Sequence, residues 1–402
     1  MPNTTLTIDM ITREALRLAH EKATFIGTIN RQFDSSWSSE GKTGDTLRIR
    51  IPSMYTRRTG SRVMDVQDSV QLSTSLVRSI QDGVDMRFNS RELALDLDSF
   101  SKLHMEPAMA TLISGIEADV FGGCTISTYN VVGTAGTAIS TLVAPGQARA
   151  RLNKGLAPKG DRSIQVESLV MGQLVNGFAG YFNPSNAISE QYREGIIART
   201  AMADYYENER VWTLTNISDV TTTLSTYTIT DGDTSITVSS FATPTVGTVF
   251  TIANVYAVHP ETKGAYAHLQ QFAVAAGSTS SEINITPPIY LTGARRNVGQ
   301  ASGAALVVST LTSAALTFVG DASTSYAQHL MYHRDAFTFA TAELPLMDDA
   351  AKCVRRTYDG LSLRVWQASD IRNDELLTRI DILYGFAALR PQWACRIIGA
   401  AN

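Results

Sequence analysis

Cysteine is scarce in this 402-residue chain. The three cysteines, Cys124, Cys353 and Cys395, are odd in number and far apart in sequence. A small disulfide-stapled domain would carry an even set at short spacings, so this content argues against a disulfide framework and favours a reducing compartment. The first twenty residues are polar and then helical in period, unlike a secretory signal peptide. The sequence therefore predicts a protein of a reducing cytoplasm.

Charge is also sparse, at 18% of residues, and the formal net charge is −4. Proteins that coat DNA by neutralising its phosphates carry a basic stripe, so this balance argues against that class. Weak contact between one face and DNA stays compatible with it. The hydrophobic share of 44% is sufficient for a folded protein, and the length predicts more than one domain or one discontinuous domain.

Long hydrophobic runs are nearly absent. Residues 297–320 form one uncharged stretch that is long enough to cross a bilayer. Six serine and threonine side chains and several glycines interrupt its apolar character. Strands joined by turns explain this pattern better than a membrane helix does, and the sequence predicts no membrane span.

Two short acidic or phosphate-loop motifs are incomplete. Residues 40–43 read EGKT, but Ser36 stands where a phosphate-binding loop requires glycine. The pair Asp348 and Asp349 follows a Leu-Pro-Leu segment, where a solvated turn is more typical than acid–base chemistry. We therefore assign neither motif a catalytic or cofactor role.

The histidines do not form a metal motif either. His329 and His333 are four residues apart, but Leu330 occupies the position where a zinc protease needs glutamate. Their aromatic and apolar neighbours favour a strand or a short connection. The sequence predicts no catalytic residue, no cofactor and no metal, and hence no enzyme.

Periodic segments indicate both helices and strands. Apolar residues recur at helical spacing in residues 9–22, 95–122, 146–156 and 189–204. Alternating or apolar strand patterns occur at residues 47–51, 70–77, 84–88, 163–170, 336–342, 362–367 and 379–384. Gly122 and Gly123 are expected to end the second helix, and Gly385 and Arg390-Pro391 to break the last strand. The overall class is α+β.

Composition changes sharply between Trp212 and Ala322. Only nine residues of this segment are charged, and threonine, serine, valine and glycine dominate it. Turn signals recur in "TDGDT", "TPTVGT" and "AAGSTSS". Such regular punctuation is typical of a small all-β unit. We interpret the segment as a β module inserted into an α+β host.

A charged segment follows the strand at residues 47–51. It carries Arg57, Arg58 and Arg62, followed by Asp65 and Asp68, with turn residues and little apolar periodicity. This favours a long exposed hairpin or loop. Mixed signs within one loop favour ion pairing with a protein partner over nucleic-acid binding, and a merely solvated loop is the alternative.

Several longer stretches together resemble a known family. They are "GKTGDTLRIRIPSMYT", "MEPAMATLISGIEADVFGG", "VGTVFTIANVYAVHPETKGAYAHLQQFAV", "HLMYHRDAFTFATAELPL" and "DGLSLRVWQASDIRNDELLTRIDILYGFAALRP". In this order, around a β insert, they resemble the major capsid (coat) proteins of tailed bacteriophages. The branch is the P22-type, which has the Hong Kong ninety-seven-type capsid fold with an inserted β domain.

The resemblance implies a domain plan. It assigns residues 1–40 to an N-terminal arm and helix, 41–94 to the extended loop and its flanking strands, 95–130 to the peripheral-domain spine helix, 131–211 to the first part of the axial domain, 212–322 to the inserted β domain, 323–360 to the axial-domain return and 361–402 to the C-terminal strands of the peripheral domain. Arg57, Arg58, Arg62, Asp65 and Asp68 are then expected at the subunit interface. Ile380, Ile382 and Tyr384 are expected to pack on the spine helix, with Arg379 and Asp381 on the opposite face.

The resemblance also implies a function. The chain is expected to self-assemble, as hexamers and pentamers, into an icosahedral procapsid that later expands around packaged double-stranded DNA. Implied partners are a scaffolding protein, a portal protein and decoration proteins, with weak non-specific DNA contact and no membrane. Assembly would take place in the bacterial host cytoplasm, and the product is the virion capsid. Alternatives are an encapsulin-like nanocompartment shell and a β-rich surface or tail adhesin.

Overall fold

The computed structural model describes most of the chain. The described residues are 12–13, 15–17, 23–32, 46–58, 60, 64, 66–67, 71–77, 79–89, 106–178, 203–225, 229–239, 241–311, 313–347, 352–358, 361–370 and 372–400. Two compact units form the structure. The first comprises Met1–Ile49, Thr74–Phe121 and Phe337–Ala387, and the second comprises Arg50–Ser73, Gly122–Ala336 and Ala388–Asn402.

The regular elements follow one another in a mixed order. The helices are α1 (Phe25–Thr28), α2 (Glu106–Ile126), α3 (Val143–Lys154) and α4 (Ser168–Phe178). The strands are β1 (Thr46–Ile51), β2 (Leu72–Val77), β3 (Ile80–Asn89), β4 (Val131–Val132), β5 (Arg162–Val166), β6 (Asp204–Glu207), β7 (Thr213–Thr215), β8 (Thr221–Thr223), β9 (Asp233–Thr237), β10 (Val249–Val258), β11 (Ala265–Val274), β12 (Glu282–Ile289), β13 (Val298–Gly299), β14 (Ala315–Phe318), β15 (Ser325–Ala327), β16 (His329–His333), β17 (Phe337–Ala342), β18 (Lys352–Tyr358), β19 (Leu361–Asp370), β20 (Glu375–Ala388) and β21 (Ala394–Ile397). Short 3-10 turns lie at Val308–Leu311, Arg334–Ala336 and Pro391–Trp393.

The first unit is built on a five-stranded sheet with the order β17-β20-β19-β18, in which β3 also pairs with β20. Ile380, Ile382 and Tyr384 on β20 are fully buried, which confirms the apolar face predicted from their alternation. The Tyr384 hydroxyl donates to Asp82 Oδ2 at 2.8 Å, and the Asp119 carboxylate of α2 also acts on this hydroxyl. Burial and these carboxylates raise the pKa of Tyr384. This face of β20 therefore lies against the helix, as expected.

The opposite face of β20 is not a solvent face throughout. Arg379 and Asp381 do lie on it, but Asp381 is fully buried. Its carboxylate accepts hydrogen bonds from Arg364 Nη2 at 2.6 Å and from Arg379 Nε at 2.7 Å. The alternation in the sequence correctly predicted the face of β20 on which Arg379 and Asp381 lie. It gave no sign that the Asp381 carboxylate would be buried. Its two arginine partners explain how that burial is tolerated.

A row of four residues crosses this sheet in register. Arg355 pairs with Arg364, Arg364 with Asp381, and Asp381 with Gly83. Both arginines also donate to backbone carbonyls of one covering segment: Arg355 Nη1 to Leu344 O and Arg364 Nη1 to Pro345 O, each at 2.9 Å. Backbone carbonyls therefore cover the row and accept hydrogen bonds from its arginines. These bonds offset part of the free-energy cost of burying the charges.

Gly83 is fitted to the end of this row. A Cβ at residue 83 would lie 2.6 Å from Asp381 Oδ1 and 2.8 Å from Ile380 O. Real Cβ atoms do not approach so closely, so a side chain here would displace either the carboxylate or the neighbouring strand. Glycine at this strand position is explained by the close approach of the buried acid.

The helix α2 carries the core of the first unit. Its buried residues Met109, Leu112, Ile113, Ile116, Val120 and Phe121 include the predicted apolar stripe. The ring of Phe25 from α1 meets Phe121 edge-to-face at a centroid distance of 4.9 Å. The Phe25 amide donates to the buried Glu117 carboxylate. The buried Glu117 carboxylate, within the apolar stripe of α2, thus accepts a hydrogen bond from the first residue of the short helix α1.

Three predicted boundaries were wrong. The helix α2 continues through Gly122 and Gly123 to Ile126, because a glycine in a well-packed helix costs only about 1 kcal/mol and burial outweighs it. Similarly, β20 continues through Gly385 to Ala388. The strand predicted to reach residue 170 ends at Val166, and α4 begins at Ser168. Residues 189–202 of the fourth predicted helix lie outside the described residues.

The second unit contains a five-stranded sheet with the order β4-β21-β16-β5-β6. Strand β16 is antiparallel to both neighbours, whereas β21 pairs with β4 and β5 with β6 in parallel. Its core includes Ile164, Met331 and Ile397 beneath Leu152 of α3 and Leu174 of α4. Residues 388–402 belong to this unit, whereas the sequence placed them with the peripheral-domain strands.

A separate seven-stranded sheet occupies Thr221–Phe318, in the order β8-β14-β10-β11-β12-β9 with β13 paired to β10. Its core is centred on Phe250, Phe272 and Phe318. The short strands β7 and β15 pair at the base and bring the two connections together. The uncharged stretch 297–320 forms β13, a 3-10 turn and β14, so the prediction of strands with turns is confirmed.

One helix among the described residues is long and apolar enough to cross a membrane. This is α2, and the test concerns only its length and composition. Of its most apolar window, 56% is buried inside the protein. Burial of this kind is typical of a core helix.

The Gly83 contact gives a test of the buried charge row. Gly83→Ala should lower the free energy of unfolding by about 1–3 kcal/mol, because the new Cβ overlaps the Asp381 carboxylate. The matched control is Gly115→Ala on the exposed face of α2, where no atom lies within 4 Å of the added Cβ. That change should raise stability by about 0.5–1 kcal/mol through helix propensity. Urea unfolding of the full chain measures both, and equal midpoints for Gly83→Ala and the unmodified chain would contradict the packing described.

Candidate functional site

The segment between β1 and β2 is the loop in which the sequence placed a protein-contact site. The two strands pair with each other. At their base, Leu47 and Ile49 of β1 pack against the fully buried Leu76 of β2 and against Ala340. We call residues 52–71 the 52–71 loop. Its ends are therefore fixed by an apolar contact, while its described residues have no regular secondary structure.

A side-chain amide joins the two arms of the 52–71 loop. The Thr56 amide donates to Gln67 Oε1 at 2.7 Å, and Gln67 Nε2 donates back to Thr56 O at 2.8 Å. This pair of hydrogen bonds imitates one rung of a β-ladder across eleven residues of sequence. The arms are thereby held side by side, which lowers the entropy that the loop would lose on binding a partner.

The 52–71 loop exposes large apolar side chains. Tyr55 is 59% exposed, Met64 is 80% exposed and Val66 is 78% exposed, and Met54 is also exposed. Burying one such side chain in a contact contributes about 1.5–3 kcal/mol. Apolar residues grouped on one exposed segment are typical of a protein-contact surface. Sequence inspection missed them, because they follow no helix or strand period.

The predicted charged residues are only partly visible. Arg57 and Arg58 are exposed on the loop, next to Tyr55. Arg62, Asp65 and Asp68 lie outside the described residues, so the proposed ion pairing between Arg and Asp side chains stays a prediction. The visible part supplies a cationic and apolar arm.

The β module is attached to the five-stranded sheet through a buried arginine. Arg396 of β21 is fully buried and donates from Nη1 to Gly247 O at 2.6 Å and from Nη2 to Ile126 O at 3.0 Å. Its guanidinium also lies over the Trp212 ring, 5.9 Å from the centroid. Burial lowers the pKa of Arg396 to about 9, so the group remains cationic at neutral pH. One side chain thus joins the end of α2, the β module and the C-terminal strand.

A second attachment uses an amide. Gln271 of β11 accepts a hydrogen bond from the Val131 amide at 2.9 Å and donates to Val131 O at 3.0 Å. Gly247 supports the first attachment, since its φ is +88° and a Cβ there would lie 2.8 Å from the Trp212 ring. The module is therefore tied to β4 and β21 by specific polar contacts as well as by its chain connections.

The remaining candidate residues form no reactive cluster. His329 and His333 lie on β16, which confirms the strand interpretation. Burial lowers the pKa of His329 to about 4, and burial is also the main cause that lowers the pKa of His333. Both rings are thus neutral at physiological pH. In the described part of the chain, no group of three or more potential metal ligands comes together. The motifs at residues 40–43 and 348–349 lie outside it.

Residues 203–399, just under half of the chain, match the family model described as P22 coat protein, gene protein 5. No curated protein sequence matches. A solved structure from Mycobacterium phage Che8 is similar with a TM-score of 0.51 at 10% identity, covering 93% of this chain and 90% of that one.

Two further solved structures are similar with lower TM-scores. The capsid of cyanophage P-SCSP1u has a TM-score of 0.43 at 10% identity, over 90% of this chain and 85% of its own. The capsid of Ralstonia phage GP4 has a TM-score of 0.43 at 7% identity, over 91% and 86%. At such identities the likeness concerns the fold alone, and the fold shared with the Che8 structure is of the α+β class.

Substitution of the buried Arg396 tests how the β module is attached. Arg396→Met keeps most of the side-chain volume but leaves Gly247 O and Ile126 O without their donor, and should cost about 3 kcal/mol of stability. Arg372→Met, at an exposed position between β19 and β20, should stay within about 0.5 kcal/mol. Thermal unfolding followed by circular dichroism compares the two variants. A similar small effect for both would show that the Arg396 contacts do not hold the module.

Proposed function

We propose that the chain is a major coat protein of tailed bacteriophages that forms the shell of the virion, as the family match over residues 203–399 and the fold likeness to the Che8 structure support. The contact we propose is made by the 52–71 loop of one copy on the surface of a neighbour. The observation that carries it is the row of exposed apolar side chains, Tyr55, Met64 and Val66, on arms that Gln67 holds together. A preformed arm of this kind is suited to bind without folding first.

Closed shells need contacts that are individually modest. Each copy meets several neighbours, so avidity stabilises the particle even when a single contact contributes only a few kcal/mol. Strong pairwise contacts would trap wrongly joined fragments. We propose that the apolar side chains supply most of the contact energy. Arg57, Arg58 and Arg62 of one copy and Asp65 and Asp68 of another would then set the register by charge.

The β module has a supporting role in this proposal. Its own core makes it a stable unit, and Arg396 and Gln271 bind it to the five-stranded sheet. Folding of the module therefore stabilises the sheet that carries it. The domain plan derived from the family, with an N-terminal arm at 1–40, a spine helix at 95–130 and an insert at 212–322, is proposed on the same basis.

We further propose partners that follow from the coat-protein role. They are a scaffolding protein and a portal protein during assembly in the host cytoplasm, hexamers and pentamers of this chain, decoration proteins, and packaged double-stranded DNA in weak non-specific contact. The chain acts as a structural protein, without a catalytic step. A nanocompartment shell and an adhesin are not favoured, because the matched family is a phage coat protein.

A double charge reversal tests the loop. Arg58→Glu with Arg62→Glu should give soluble, folded subunits that fail to close into particles, because like charges would then face Asp65 and Asp68 of the neighbour. Circular dichroism reports folding, and sedimentation with negative-stain microscopy reports particle yield.

The matched control restores the charge complement. Adding Asp65→Arg and Asp68→Arg to the double variant reverses the sign of every charge in the set except Arg57, and particle yield should largely return. Unchanged yield in the Arg58→Glu, Arg62→Glu variant would refute the role of these charges. Failure of the four-residue exchange to recover any particles would refute the pairing of arginines with these aspartates.

A further inference from the structure

A cavity of about 420 Å³ lies in the second unit. It is lined by the C-terminal end of α3, by β11, by the turns at 258–263 and 290–297, and by the segment 390–393. Six of its lining residues are cations: Arg151, Lys154, Lys263, Arg295, Arg296 and Arg390. The volume falls in the usual range of small-molecule sites.

Among the residues that the structure describes, no carboxylate lines this cavity. Within the described part of the chain, none of the six cations forms a salt bridge with an acidic side chain. Asp335, which does not line the cavity, partly offsets the lowering of the Arg390 pKa by burial. Six positive charges around one concave space, in a chain whose net charge is −4, form a local field that attracts an anion.

Backbone carbonyls hold two of these cations in place without neutralising them. Lys263 Nζ donates to Ala294 O at 2.6 Å, and Arg296 Nη2 donates to Gly303 O at 2.6 Å and to Ala304 O at 2.9 Å. A neutral carbonyl satisfies a donor but leaves the charge intact. The positions of these groups are therefore set before any ligand arrives.

Aromatic rings hold three more. The Arg295 guanidinium lies 3.9 Å from the Tyr290 ring centroid, and the Arg390 guanidinium lies 4.2 Å from that of Trp393. Lys154 Nζ lies 5.0 Å from the ring of Tyr266. Stacking of this kind fixes a guanidinium plane while its N–H donors stay available for a planar or tetrahedral anion.

The cations also oppose one another. Burial lowers the pKa of Lys154, and Arg151 lowers it further. Burial, Arg151 and Lys154 together lower the pKa of His268 to about 3, so this ring stays neutral and accepts a hydrogen bond from Lys154 Nζ at 3.3 Å. Burial and Arg296 likewise lower the pKa of Lys263. A bound anion would relieve this mutual repulsion.

A purely structural explanation covers only part of the cluster. Arg151 and Lys154 stand in the last turn of α3, where cations complement the negative end of the helix dipole. The bonds of Lys263 and Arg296 to backbone carbonyls also give these two a structural role. Arg295 and Arg390 come from other segments, and neither reason applies to them. The fold alone therefore does not explain why all six cations line one space.

We infer that this cavity binds a small, multiply charged phosphate anion of the triphosphate or polyphosphate class. The fork of N–H donors on arginine matches phosphate oxygens, and a concave site of this size admits a short phosphate chain. Two sources share this chemistry: free nucleotides or polyphosphate of the cell, and the phosphorylated end of a nucleic-acid strand. Met54 of the 52–71 loop also lines the cavity, but none of the charged residues proposed for the loop contact does, so this test does not depend on shell closure through those charges.

Calorimetric titration of the full chain with sodium tripolyphosphate tests the inference. At constant ionic strength, binding should be saturable, with one site per chain, and much tighter than binding of sulfate. Arg151→Gln and Arg390→Gln should each weaken it roughly tenfold or more, since each removes a charge-assisted donor. Arg372→Gln, at an exposed position outside the cavity, should leave it unchanged. Circular dichroism checks that each variant is folded, and quenching of tryptophan fluorescence in the unmodified chain gives a second readout through Trp393.

Further titrations distinguish the two phosphate sources from each other and from an acidic protein partner. Stronger binding of an oligodeoxynucleotide that carries a 5′-triphosphate than of free tripolyphosphate would support the strand-end source, and the reverse order the free source. Tripolyphosphate that binds no more tightly than sulfate would overturn the inference. Binding of a polyglutamate peptide without binding of tripolyphosphate would also overturn it, in favour of an acidic protein partner.

Discussion

Buried charge that is paired or hydrogen-bonded is the constraint on which this structure depends. In the first unit, Asp381 is held between Arg364 and Arg379, and Arg364 is also bonded to a backbone carbonyl. In the second unit, Arg396 is bonded to two carbonyls from distant segments. A buried ion without its partner costs about 3–5 kcal/mol. Any arrangement that separates these groups is therefore strongly disfavoured.

The same constraint fixes strand register. A slip of one residue would turn Asp381 into the apolar layer of Ile380 and Ile382 and would move it away from Gly83. Apolar burial alone penalises such a slip less sharply, because hydrophobic contacts are not directional. This suits the proposed shell function, in which every copy would present its contact surfaces in the same geometry. Each unit is then a fixed scaffold, and Gln67 holds the loop that is proposed as the contact arm.

Much of the fold was predictable from the sequence because it follows from periodicity. The alternation in 379–384 identified the buried face of β20, and the loss of charge after residue 212 indicated the β module. The breaks predicted at Gly122, Gly123 and Gly385 were wrong, because these glycines lie in a helix and a strand whose packing outweighs the weak helix or strand propensity of glycine. The burial of Asp381 was not predictable, because its partner Arg364 lies on another strand.

The contact surface and the cavity show the same limit. Arg57 and Arg58 were predicted as part of the loop, whereas Tyr55, Met64 and Val66 were missed because exposure depends on what fails to pack on them. The cationic cavity gathers residues between Arg151 and Arg390 from several segments. No spacing rule connects such residues in one sequence. Properties that depend on a single helix, strand or loop could therefore be predicted from the sequence. Properties that require residues from several segments to come together could not.

The central claim is that this polypeptide exists to join copies of itself through the arm between β1 and β2. Electron cryomicroscopy of particles assembled from the unmodified chain, with a scaffolding protein where required, tests it most directly. The account predicts closed icosahedral shells in which the density of Tyr55, Met64 and Val66 lies against a neighbouring copy. Shells in which these side chains face solvent, or a chain that stays monomeric under every assembly condition, would contradict it.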